Sequence, residues 1–167
     1  FLVRASNNCY LALFDKSDIV GEVRRKSELI SRIDILILPN PTIDENKIIE
    51  CISRIPFLKR KPQIQNNTVS TGLLSGIECN FVISSLESYY PELLYYTGSA
   101  EHYESLKQFA HKNNISITPA EILIEGKKTS IYSEKEIYEK IINIQYVEPE
   151  LHEPMFDFDK AANRQIP

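Results

Sequence analysis

Cysteine is scarce in this 167-residue chain: Cys9, Cys51 and Cys79 are scattered, odd in number and never spaced as metal ligands. That pattern excludes a disulfide-stapled scaffold and a cysteine-based zinc site, and it fits free thiols in a reducing cytoplasm. Long hydrophobic runs are missing as well. The most apolar stretch, Ile33 to Leu38, falls far short of the roughly 20 residues a membrane span needs. No secretory leader is visible, and the start at Phe1 is expected to mark a fragment whose natural beginning lies upstream. Basic excess is lacking too: 19 Lys and Arg against 23 Asp and Glu leave a net charge of −4. A strong general affinity for nucleic acid usually needs a basic face, so that class is disfavoured. What remains is 43% hydrophobic and 25% charged, enough for one domain with a core, or one domain plus a small appendage.

Charge is uneven. Residues 148–167 hold five acids and two bases, for −3, so the preceding residues carry only −1. With its prolines, this acidic stretch reads as a linker. Two basic triplets, Arg24-Arg25-Lys26 and Lys59-Arg60-Lys61, are either phosphate contacts or solvated surface.

Asp18–Arg24 and Ile33–Leu38 read as strands, the second aliphatic and β-branched as a buried central strand should be. Pro39 and Pro41 end it, and Thr42 with Glu45 forms a capping box for a helix to about Ser53. Pro62–Asn66, Val69–Leu74 and Ile77–Ser84 read as strands, the last two joined by a turn at Ser75-Gly76. Helices are expected over Leu86–Tyr95 and Ser99–Asn113, then a hairpin of Ile115–Ile124 with Lys128–Tyr132. Ser133 with Glu136 should cap a short helix to about Ile142. Strands followed by helices predict an α+β sheet lobe and a smaller lobe beginning near Gly98.

Several ordered pieces then carry a resemblance. Gly21-Glu22-Val23-Arg24-Arg25 is followed by Arg32-Ile33-Asp34-Ile35-Leu36, where a nucleotidyltransferase signature has Gly-Ser-x-Arg-Arg and Asp-x-Asp. Gly76 to Asn80, Tyr95-Tyr96-Thr97-Gly98-Ser99, Glu101-His102, Leu106-Lys107, Glu136-Ile137-Tyr138 and Pro149 to Glu153 continue it in register. From Asp18 onward, about nine tenths of the chain, the sequence resembles the palm and thumb of bacterial family X (polymerase beta-like) DNA polymerases. The resemblance implies a nucleotidyltransferase-type palm, a mixed sheet with helices on one face, over 1–97, with 1–17 an unplaced lead-in. It also implies a small α/β thumb over 98–147 and, from 148, a linker toward a PHP phosphoesterase domain. A helix-hairpin-helix lobe would precede the palm.

The departures fall at the chemistry. Family members hold two divalent cations on three carboxylates, and these bridge the incoming triphosphate. Here Asp34 is the sole retained carboxylate and the only, weak, candidate metal ligand; Arg32 and Asn80 take the other two positions, and Glu22 stands for the serine that touches the triphosphate. A guanidinium repels a metal ion, and an amide cannot act as a base. Arg32 should pair with Asp34 or Glu22, and only Glu22 or Glu78 could rebuild a ligand set.

The resemblance places Gly21, Arg25, Tyr95, Tyr96 and Gly98 at the nucleotide and Ser99 and Lys107 at DNA. Arg25 could equally be surface charge, the tyrosines ordinary packing and Ser99 a simple helix cap. Tyr103 replaces an asparagine at the base edge, Lys107 replaces an arginine, and His102 and His111 read as exposed helix residues. The implied function is an inactive palm–thumb module of a DNA repair protein, serving as scaffold or weak positioner of gapped or primer–template DNA. The competing readings are a protein docking domain and a slow polymerase. No cofactor is expected; magnesium or manganese would serve any surviving activity.

Overall fold

The computed structural model describes residues 13–55, 57–58 and 61–164; Cys9, most of the unplaced lead-in and two residues of the second basic triplet lie outside them. The first lobe is a five-stranded sheet in the order β1-β2-β5-β4-β3, formed by β1 (Phe14–Val20), β2 (Arg32–Pro39), β3 (Gln63–Gln65), β4 (Thr68–Gly72) and β5 (Glu78–Ile83). β2 pairs antiparallel with β1 and parallel with β5, so the sheet is mixed. The aliphatic run of β2 explains its place, since side chains alternate between two buried faces. Ile35 and Ile37 pack with Ile48 and Ile52 of helix α2 (Glu45–Ser53), whereas Leu36 and Leu38 pack with Tyr89 and Leu93 of α3 (Tyr89–Thr97). Helices therefore cover both faces, not the single face expected.

Local chemistry accounts for the differences at element ends. The first strand stops at Val20 because Gly21 turns the chain at φ +65°, and Gly21–Arg24 forms one helical turn, α1, where strand was expected. Thr42 does not cap α2. Its amide and hydroxyl are taken by the Asn40 side chain at 3.1 and 2.7 Å, and Asp44 caps instead, accepting from the Lys47 amide at 2.9 Å. The expected strand Ile115–Ile124 is broken at Thr118, which bonds Glu121 through backbone and hydroxyl, leaving β6 (Ile115–Ile117) and β7 (Ile122–Ile124).

The second lobe sets β6, β7 and β8 (Lys127–Lys128) against α4 (Ala100–His111) and α5 (Glu134–Glu136), which continues as a π-helical turn over Ile137–Ile142. Ser133 caps it as expected, accepting from the Glu136 amide at 3.1 Å. Among its described residues the acidic stretch, expected as a linker, packs onto this lobe. Pro149–Leu151 forms a 3-10 turn and Phe158–Ala162 a helix, α6, burying Pro149, His152, Phe158 and Ala161 against this lobe. Apolar residues spaced between the acids supply the packing that the charge count conceals. The two cores meet in α3, where Leu93 belongs to one and Leu94 to the other. Among the described residues no helix is long and apolar enough to cross a membrane.

Candidate functional site

Parallel pairing of β2 with β5 sets Asp34 beside Asn80 and Arg32 beside Glu78, and the period of two puts all four on one face. Asp34 is buried, and both its oxygens are engaged: Oδ2 accepts from Arg32 Nε at 2.8 Å and Oδ1 from Asn80 Nδ2 at 2.9 Å. Of the two pairings open to Arg32, the structure forms the one with Asp34. Glu22 turns instead to the loop, accepting from the Ser31 amide at 2.6 Å and its hydroxyl at 3.0 Å. The Ser31 amide bond chiefly holds the Glu22 carboxyl below the usual carboxylate range. Neither Glu22 nor Glu78 joins Asp34 in a ligand set. Among the described residues no three His, Cys, Asp or Glu side chains are grouped to hold a metal ion. A fixed guanidinium and an amide facing one carboxylate do not fit a divalent cation, which needs several anionic or carbonyl oxygens turned inward.

Two glycines allow close approach here. A Cβ on Gly21 would stand 3.2 Å from Asp34 Oδ2, and one on Gly98, also at φ +65°, would stand 2.9 Å from Arg25 Nη1. Gly21→Ala is therefore expected to cost about 1–3 kcal/mol through left-handed strain and crowding, read as a shift of the urea midpoint. An unchanged midpoint would contradict the packing described.

Arg25 donates to the Thr97 carbonyl and Tyr95 meets Tyr103 edge-on at 5.1 Å, enclosing an open cleft of about 420 Å³. Gly21, Arg25, Arg32, Asp34, Tyr95, Tyr96, Gly98 and Ser99 all line it; Asn80 reaches it through Asp34. Lys107 does not line it and instead pairs with Glu104 at 2.8 Å on α4. The Ser99 hydroxyl caps α4, accepting from the His102 amide at 3.3 Å. Glu101 lines the cleft without having been assigned a place there.

His102 is buried, not exposed as the sequence suggests. It stacks on His152 at 4.2 Å with 7° between the rings, and burial pushes its pKa down to about 3. The covering surface comes from residues 149–162, within the segment expected as a linker. His111 is exposed as expected. His152 Nδ1 donates to the Gly98 carbonyl at 2.9 Å. Sequence reasoning also missed Arg24, which donates to both oxygens of buried Glu134 at 3.0 and 2.6 Å and to the Thr97 hydroxyl. The adjacent Arg-Arg was the available signal, but a partner 110 residues away leaves none.

Residues 92–153, from α3 through the 3-10 turn, match the DNA polymerase beta thumb family. The likeness is to DNA polymerase beta. In fold it extends further: the crystal structure of Leishmania infantum polymerase beta, a ternary P/T complex, superposes with a TM-score of 0.66. That match covers 83% of this chain and 67% of that one at 14% identity, so it concerns the polymerase beta fold. No curated protein sequence matches significantly. The expected α+β architecture, a mixed sheet with helices, is thus the one present, and it is similar in fold to polymerase beta.

Proposed function

We propose that this chain is the palm and thumb of a bacterial family X-type DNA repair protein that has lost nucleotidyl transfer and acts as a scaffold or weak DNA-positioning module. The observation carrying this reading is the Asp34 carboxylate, whose two oxygens are spent on Arg32 and Asn80. Phosphoryl transfer is catalysed by positioned cations that neutralise charge developing on the triphosphate, and here a side chain already occupies the place where such charge would be met. The thumb match and the fold shared with a polymerase solved as a P/T complex support DNA as the partner. In this reading helix-hairpin-helix and PHP domains of a longer chain flank the fragment, and the surviving activity belongs to the PHP domain.

Primer extension on gapped DNA with magnesium or manganese tests it. No incorporation is expected from the wild type or from Arg32→Asp, because Asn80 still withholds the third carboxylate. Extension by the wild type above the no-enzyme background overturns the reading. Band shifts on gapped DNA should weaken as salt rises, reflecting phosphate contacts.

A further inference from the structure

A second groove, of about 460 Å³, crosses from the sheet lobe to the smaller lobe and shares no lining residue with the Asp34 cleft. One wall is the start of α3 with Lys16 of β1; the other is the segment Lys128 to Tyr132 continuing from β8, the outer strand of its sheet. Lys16 is half-buried. Its Nζ donates to the Tyr90 hydroxyl at 2.8 Å and lies 4.6 Å from the centre of that ring, and no carboxylate among the described residues pairs with it. Its remaining N–H groups are therefore offered to the groove without an anionic partner. Lys128 pairs with Glu87 at 2.5 Å and lies 3.9 Å from Glu121, so Lys16 is the lining cation left for a partner; Lys127 beside Lys128 is exposed. Two lysines against one acid make the lining positive on a chain whose net charge is −4. At the rim two large apolar side chains stand free, Leu86 at 72% and Tyr132 at 74% exposure.

We propose that this groove docks an extended acidic peptide segment of a partner protein. A partner carboxylate sits on Lys16, and apolar neighbours cover Leu86 and Tyr132. Charge complementarity selects an acidic partner, and the apolar rim beside an outer strand favours a peptide over nucleic acid, which would need a more basic track. The docking stands whether or not the Asp34 cleft is catalytic.

The test is fluorescence anisotropy with the full chain and a fluorescein-labelled peptide Glu-Leu-Asp-Phe-Glu-Leu. Controls are the same peptide with lysine for each acid and a labelled dT 12-mer. Saturable binding with Kd on the order of 10–100 μM is expected, weakening as salt rises. Lys16→Glu should weaken it at least tenfold and Tyr132→Ser several-fold, with the melting temperature of each variant recorded. If Lys16→Glu fails to fold, Tyr132→Ser and Leu86→Ser decide, since both side chains are exposed. No binding at 1 mM peptide (about 4 kcal/mol of affinity) overturns the proposal. So does equal binding of the lysine peptide, tighter binding of the dT 12-mer, or indifference to the variants.

Discussion

Arg24→Ala is expected to lower the melting temperature by roughly 10 °C. Removing one partner of a buried ion pair leaves the other charge without compensation and costs about 3–5 kcal/mol. A fifth of the Arg24 side chain remains exposed, which argues for the lower end of that range. In a chain of this size each kcal/mol moves the midpoint by about 2–4 °C. The effect exceeds one bond because the guanidinium links three elements. It leaves α1, touches Thr97 at the end of α3 and grips Glu134 on α5, where the Tyr146 hydroxyl adds a further bond at 3.2 Å. Glu134→Leu alone should be similarly harmful, whereas Arg24→Met with Glu134→Leu should regain most of the loss. The cycle of single and double variants, measured by urea unfolding, is expected to give a coupling above about 2 kcal/mol. A coupling below about 0.5 kcal/mol would mean that the two lobes do not depend on this pair.

Acid should weaken the fold for a separate reason. His102 is held neutral by burial and by stacking on His152, which burial also keeps neutral, so its pKa falls from the ordinary 6.5 to about 3. The unfolded chain then binds the proton more readily than the folded one. Stability from this imidazole is complete above pH 6.5 and declines as pH falls toward 3, by about 1.4 kcal/mol per pH unit. At pH 4.5 the loss from His102 alone amounts to about 3 kcal/mol, or roughly 6–12 °C in melting temperature. Glu22 and Glu136, with lowered pKa values, push in the same direction over the carboxylate range, and Glu92, raised by burial, pushes the other way. The slope difference between wild type and His102→Phe from pH 7.5 to 4.5 isolates the imidazole. Parallel slopes would rule out its protonation as a source of acid instability.

Much of this fold is legible from residues alone. The aliphatic run in β2 admits only a buried strand, and Ser133 with Glu136 declares a helix start that packing respects. Where the reading failed, the deciding partner lay elsewhere in the chain. Thr42 looks like a helix cap until Asn40 takes its hydroxyl and amide. His102 looks solvated until a segment some 50 residues later covers it, and the charges of that segment disguise Phe156 and Phe158. The cleft was more legible than the fold around it, because its residues keep their spacing in short motifs that sit at element ends. Lys107 and Asn80 are the exceptions: one more helical turn carries Lys107 beyond the opening, and Asn80 reaches it only through Asp34.

Leu93 and Leu94 are adjacent in sequence yet belong to different cores. Cutting the gene at Gly98 would leave all of α3 in the first piece, with the Leu94 side of the helix bare, and would deny that side to the second piece. The pieces should therefore express as aggregates, while the intact chain melts in one calorimetric peak.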